Sequence, residues 1–154
     1  MIETPVETDV QRIVLDEVFP HTPEVLWRAL TTGDLIGRWL MPPLGFEAVE
    51  GREFTFQTKP AGPWDGVIQC RILEVVPYKQ FAFVWRGGHE DNLGYGSRLN
   101  TVVTFTLEAA PGGTRLRLVH TGFELPRNAF AFKNMSEGWP SRVALLATVA
   151  AGPH

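Results

Sequence analysis

The chain has 154 residues, of which 44% are hydrophobic and 20% charged, and its formal net charge is −3 at pH 7. This length fits one domain with a sizeable core, and a mildly acidic chain without Lys/Arg clusters is a poor partner for nucleic acid, because phosphate contacts supply most of that affinity. No apolar run approaches the ~20 residues that cross a bilayer, and a single cysteine, Cys70, fits a reducing compartment, so we expect a cytoplasmic protein that binds neither nucleic acid nor a membrane.

The N-terminal part predicts a loose leader followed by a strand. Residues 1–10 are acidic and show no apolar periodicity, so we interpret them as a leader that is not a signal peptide. A single domain is expected over residues 11–150. Residues 11–19 alternate with the period of a β-strand, and one face carries Ile13, Leu15 and Phe19.

Two short helices are predicted after this strand. Thr22 is a good N-cap and Pro23 suits the first helical position, so the first of the two helices begins there. The second covers residues 34–40 and ends at the breaker Pro42-Pro43.

The next ninety or so residues predict an antiparallel meander, because short β-patterned runs alternate with Gly- and Pro-rich turns. In the last run Leu116, Leu118 and His120 share one face. The predicted strands cover residues 45–49, 52–58, 66–76, 80–85, 100–109 and 114–123.

The C-terminal part predicts one long helix. Apolar residues recur there at intervals of three or four, which is the helical period. Pro140 lies inside this pattern and cannot donate a backbone hydrogen bond, so we expect the helix to kink there. The apolar stripe consists of Phe132, Met135, Trp139, Val143, Leu146 and Ala150.

This order of elements predicts a cavity. A curved antiparallel sheet must cover one face, and a single helix about 10 Å wide leaves space between itself and the sheet. Trp64, at a strand start, is expected near the mouth. Ordinary core packing is the alternative for every candidate lining residue. The candidates are Trp85, Phe105, Leu118 and His120 on the sheet, with Trp139, Val143 and Leu146 on the helix.

Four segments resemble the activator-of-heat-shock-protein-ATPase homologue (AHSA-type) family of the START/SRPBCC superfamily. They are residues 19–40 with Pro-Glu-x-x-Trp-x-Ala-Leu-Thr, 73–85 with Val-x-Pro-x-x-x-Phe-x-x-x-Trp, 101–123 with Gly-x-Thr-x-Leu-x-Leu-x-His, and 137–146 with Gly-Trp. The resemblance implies an α+β helix-grip fold, in which a curved antiparallel sheet of six to seven strands wraps around the C-terminal helix.

The resemblance leaves three functions open. It implies hydrophobic-ligand binders, lipid and hormone carriers, cyclases, co-chaperones with a role in the stress response, and a drug-sequestering protein, and a shared fold does not choose among them. We expect binding of a hydrophobic small molecule. The alternatives are a cyclase, aromatase or hydrolase that uses His120 as its acid–base, and a co-chaperone-like module. The eukaryotic co-chaperone has a further N-terminal domain that these residues lack, which disfavours a chaperone partner.

Other chemistries have little support in the sequence. The scattered histidines and lone cysteine have no metal-ligand spacing, and no glycine-rich phosphate loop or nucleophile elbow is present, so we expect no metal and no cofactor. His120 is also compatible with a purely structural role. The strand positions of Glu17 and Glu74 cannot be phased against the cavity. A homodimer is compatible with the sequence but not specified by it.

Overall fold

The computed structural model describes residues 9–152, which form an α+β fold as predicted. A long helix follows six strands, and two short helices follow the first strand. Most of the predicted leader lies outside the described residues. The elements are β1 (Asp9–Phe19), α1 (Pro23–Thr31), α2 (Gly33–Trp39), β2 (Glu53–Gln57), β3 (Val67–Val76), β4 (Gln80–Gly87), β5 (Leu99–Ala110), β6 (Gly113–Leu125) and α3 (Ala129–Ala151).

All six strands form one antiparallel sheet in the order β1-β6-β5-β4-β3-β2. Strands β2 to β6 are a meander, whereas β1 joins the far edge beside β6. Helices α1 and α2 therefore connect the two edges of the sheet. The alternation predicted for the last strand is confirmed, since Leu116, Leu118 and His120 are all buried on the inner face of β6.

The strand predicted over residues 45–49 is wrong. Gly45 adopts a positive φ of 78°, which turns the chain out of an extended conformation. Leu44 makes only an isolated bridge to Thr55 of β2. Phe46 then packs its ring against Phe54, with ring centroids 5.0 Å apart, so this segment contributes to the core without joining the sheet.

The two short helices begin and pack as their sequences indicate. The Thr22 side chain accepts a hydrogen bond from the backbone N–H of Val25, which confirms the predicted N-cap of α1. The Trp39 indole of α2 donates to the backbone carbonyl of Ala29 in α1 across 2.8 Å. This buried bond joins the two helices to each other.

Helix α3 runs as one element through Pro140 and packs against β1, β6 and the two short helices. The stripe predicted from its period is largely buried, and Pro140 lies on the exposed side of the helix. Within the described range, no helix is both long and apolar enough to cross a membrane. The fully buried members of the stripe are Trp139, Val143, Leu146 and Ala150.

Candidate functional site

A cavity of about 500 Å³ lies between residues 130–145 of α3 and one end of the sheet. It falls within the size range typical of small-molecule sites. Strand β4 ends at the cavity, and the loop over residues 88–97 forms one wall. The lining is Leu40, Met41, Thr58, Trp64, Ile68, Trp85, Gly87, Gly88, Tyr95, Gly96, Ser97, Leu99, Phe130, Ala131, Asn134, Met135, Gly138, Trp139, Ser141, Arg142 and Leu145.

Aromatic side chains form both the floor and the rim of this cavity. Trp85 and Trp139 are each 4% exposed, and their rings meet edge to face with centroids 6.2 Å apart. At the rim, Tyr95 is 40% and Phe130 49% exposed, with ring centroids 6.4 Å apart. A buried floor and an exposed rim make a cleft that an apolar molecule can enter and in which it can lose its hydration.

Hydrogen bonds hold the loop over residues 88–97 against the loop between β2 and β3. The Asn92 side-chain amide donates to the carbonyls of Ala61, at 2.8 Å, and Gly96, at 3.0 Å. The Tyr95 hydroxyl donates to the carbonyl of Lys59 across 2.7 Å. The wall that carries Tyr95 is therefore preorganised by contacts between segments distant in the sequence.

Asn128 fixes the start of α3 relative to the sheet. Its side chain is fully buried, and its amide donates to the Ser97 hydroxyl at 3.1 Å and to the Arg98 carbonyl at 2.8 Å. Its side-chain oxygen accepts from the backbone N–H of Glu124 at 2.9 Å. One residue thus ties α3 to β6 and to the segment that enters β5, which sets the position of Phe130 at the rim.

His120 lies behind the cavity floor and has a partner for each ring nitrogen. The Trp139 indole donates to Nδ1 across 3.0 Å. An indole can only donate, so Nδ1 is the acceptor and the proton is on Nε2. Nε2 lies 2.8 Å from the Thr101 hydroxyl, which in turn donates to the Trp85 carbonyl across 2.9 Å. Within this chain, Nε2 of His120 is therefore the donor to Thr101.

Burial lowers the pKa of His120 to about 3, so its imidazole is neutral near pH 7. His120 is fully buried and does not line the cavity. A general base must reach the proton that it removes, and both nitrogens of this ring are engaged inside the core. The arrangement instead positions Trp139, whose ring forms part of the floor.

The structure brings two of the predicted ligand contacts, Trp85 and Trp139, together at the cavity, and Trp64 also lines it. The remaining predicted contacts are buried elsewhere in the core. As ligand contacts these residues remain predictions. They are Phe105, Leu118, Val143, Leu146 and His120.

Sequence reasoning missed most of the side chains at the rim. Tyr95 lies in a loop without periodicity, and Phe130 precedes the apolar stripe of α3. Arg142, between two buried positions of that stripe, is the one charged residue in the cavity lining of the described chain. No carboxylate of residues 9–152 lies within ion-pair distance of the Arg142 guanidinium.

Other reactive groups lie away from the cavity. Burial raises the pKa of the Cys70 thiol, which keeps it protonated. Glu74 accepts a hydrogen bond from Gln80, and Glu17 is exposed on β1. Residues 9–152 contain no group of three or more His, Cys, Asp or Glu side chains placed to hold a metal ion.

The fold and the cavity define a domain of the helix-grip type, and comparisons with known proteins agree. The family model described as "Activator of Hsp90 ATPase homolog 1-like protein" matches residues 20–151. The crystal structure of protein MLL2253 from Mesorhizobium loti is 35% identical, with a TM-score of 0.78 over 90% of this chain and 96% of that chain. The chain therefore belongs to this AHSA1-like family.

More distant structures share the fold alone. The solution structure of the Aha1 dimer from Colwellia psychrerythraea is 19% identical, with a TM-score of 0.66 over 94% of this chain and 99% of that chain. DynU16, a protein in the dynemicin biosynthetic locus, is 20% identical, with a TM-score of 0.66 over 89% of this chain and 46% of that chain. Among curated proteins, none matches this sequence significantly.

Proposed function

We propose that this protein binds an apolar small molecule in the cavity between α3 and the end of the sheet, with Trp85 and Trp139 as its floor. The observation that carries the proposal is a cavity of about 500 Å³ with an aromatic floor and an exposed aromatic rim. Both floor residues are buried and the Trp139 indole is held by a hydrogen bond, so the floor loses little conformational freedom on binding. The fold of DynU16, from a biosynthetic locus, is compatible with this role.

The ligand carries an acidic group at one end. Arg142 is the one charged side chain among the lining residues, and in the described chain no carboxylate neutralises it. A carboxylate or sulfonate on an otherwise apolar molecule would pair with this guanidinium at the exposed side of the cavity. Asn134 lines the same side of α3, and its side-chain amide offers a further hydrogen-bond donor.

Gly138 allows a test that separates binding from folding. It lines the cavity, and a Cβ added there meets no atom within 4 Å. Leucine is also a better helix former than glycine, by roughly 0.5–1 kcal/mol. Gly138→Leu is therefore expected to fill the cavity without unfolding the chain.

The probe for this test is N-phenyl-1-naphthylamine, an uncharged fluorescent naphthalene. We expect saturable binding by the wild-type protein and at least a tenfold loss in Gly138→Leu, whereas Ala144→Leu, on the exposed side of α3, binds as the wild type does. Equal binding by all three proteins would contradict the proposed site. The cytoplasmic location remains a prediction from Cys70.

A further inference from the structure

Strand β1 is a long free edge of the sheet. It has 11 residues, and among residues 9–152 it pairs with β6 alone. The register break between these strands places the extra residue in β6, since Gln11 pairs with Phe123 and Arg12 with Thr121. β1 itself is therefore regular, and it contains no proline, glycine or lysine, residues that commonly protect edge strands from pairing.

The outward face of β1 has a self-complementary order of side chains. Val10, Val14 and Val18 are exposed there at 58%, 41% and 51%. Arg12 and Asp16 occupy the positions between the valines. When this row of five residues is reversed, the valines fall on valine positions, and Arg12 and Asp16 exchange places.

We propose that β1 pairs antiparallel with β1 of a second copy of this chain, about a two-fold axis at Val14. This register places Arg12 opposite Asp16 of the second copy, and Val10 opposite its Val18. On the inward face it places Gln11 opposite Glu17 of the second copy. Opposite charges and paired valines facing each other across strands stabilise such a ladder.

Other two-fold registers that keep the faces aligned are disfavoured. An axis at Arg12 puts the two Arg12 side chains opposite each other, and an axis at Asp16 does the same for the two Asp16 side chains. An axis at Ile13 puts Val14 opposite Arg12 of the second copy, and an axis at Leu15 puts Val14 opposite its Asp16. The sequence of β1 therefore specifies one register.

Strand β6, which lies beside β1, adds to the complementarity between the two copies. Val119 of β6 lies beside Val14, so the axis passes through a row of four valines. Asp16 forms an ion pair with Arg115, which lowers the pKa of the carboxyl group and keeps Asp16 ionised to face the incoming Arg12. Arg12 has no ion pair among the described residues of a single copy, so pairing supplies its partner.

This dimer leaves the cavity accessible, since no residue of β1 lines it. Failure of the dimer and failure of ligand binding are therefore separate results.

The test is sedimentation equilibrium of the full-length chain at low salt with charge variants. We expect the wild type to dimerise, and Arg12→Asp to weaken the dimer at least about tenfold by placing like charges opposite each other twice. The double variant Arg12→Asp with Asp16→Arg restores opposite charges across the axis and is expected to recover dimerisation. Arg38→Asp, on α2, is the control for a changed net charge and is expected to dimerise as the wild type does.

Two results would overturn the interface. One is a wild-type chain that stays monomeric up to millimolar concentration. The other is a dimer that Arg12→Asp does not weaken, or that the folded double variant does not recover. Denaturation curves for each variant verify folding, because Asp16→Arg also removes the ion pair with Arg115.

Discussion

The indole N–H of Trp139 donates to Nδ1 of His120 across 3.0 Å, in the core behind the cavity floor. Trp139 comes from α3 and His120 from β6, so one buried hydrogen bond connects the helix to the sheet at the floor. The bond also fixes the tautomer of the imidazole and, through Thr101, orients the strand end that carries Trp85. The shape of the floor therefore depends on His120 and Thr101, neither of which lines the cavity.

Trp139→Phe is expected to destabilise the protein by about 1–3 kcal/mol, because Nδ1 of His120 would be left buried without a donor. Chemical denaturation measures the change. Trp27→Phe is the matched control, since the Trp27 indole makes no hydrogen bond within residues 9–152 and the ring is only half buried. Equal losses in the two variants would show that the hydrogen bond contributes nothing beyond aromatic packing.

His120 makes the stability of the protein depend on pH. Its pKa of about 3 lies below the value near 6.5 expected in the unfolded chain, so between these values the unfolded state binds more protons. The free energy of unfolding should therefore fall by about 2 kcal/mol between pH 7 and pH 5 from this group.

His120→Gln should lose that contribution, and denaturation at the two pH values measures it. His21→Gln, which replaces a histidine outside the core, should keep the wild-type dependence. A wild-type slope in His120→Gln would mean that another group causes the effect.

Asn128→Ala should cost about 3 kcal/mol in the free energy of unfolding, because one buried and two partly buried polar groups lose their partner at once. The substitution should also free the first turn of α3, which is measurable as faster amide exchange at Phe132, whose N–H donates to the Asn128 carbonyl across 2.8 Å. Asn100→Ala is the control: it removes an exposed hydrogen bond to Arg86, and the expected change is within about 0.5 kcal/mol. Similar costs for the two variants would rule out Asn128 as the anchor of α3.

Arg142→Met should change which ligands bind rather than whether any binds. Methionine keeps much of the apolar length of arginine and removes the charge. The affinity for 8-anilinonaphthalene-1-sulfonate, an apolar sulfonate, should fall about tenfold, the effect of losing about 1.4 kcal/mol of a charged hydrogen bond. The affinity for the uncharged N-phenyl-1-naphthylamine should stay within about twofold, a change below roughly 0.5 kcal/mol. A parallel loss for both probes would assign Arg142 a packing role only.

The sequence predicts most of the fold because each element carries its own periodicity. The stripe ending in Leu146 and Ala150 identifies α3 despite Pro140, and the alternation around Leu118 identifies β6. The predicted strand at residues 45–49 fails because its alternation comes from Phe46, which is partly buried by packing on Phe54 rather than by strand pairing. Periodicity reports burial, and burial alone does not distinguish these two causes.

The site was less predictable because its walls depend on contacts between distant segments. Asn92 holds the loop that forms one cavity wall because its amide reaches Ala61, 31 positions earlier in the chain. Asn128 similarly reaches Ser97, and neither contact leaves a local pattern. The phase of β6 correctly placed His120 on the inner face, but it could not show that Trp139 would occupy one of its nitrogens.

An NMR titration of the full-length protein with N-phenyl-1-naphthylamine tests the central claim most directly. We expect the largest shifts at the backbone amides of Gly96 and Gly138 and at the indole N–H groups of Trp85 and Trp139, all of which belong to cavity-lining residues. The same shifts should be absent in Gly138→Leu. Shifts that spread over the surface, or that persist unchanged in Gly138→Leu, would contradict ligand binding in this cavity.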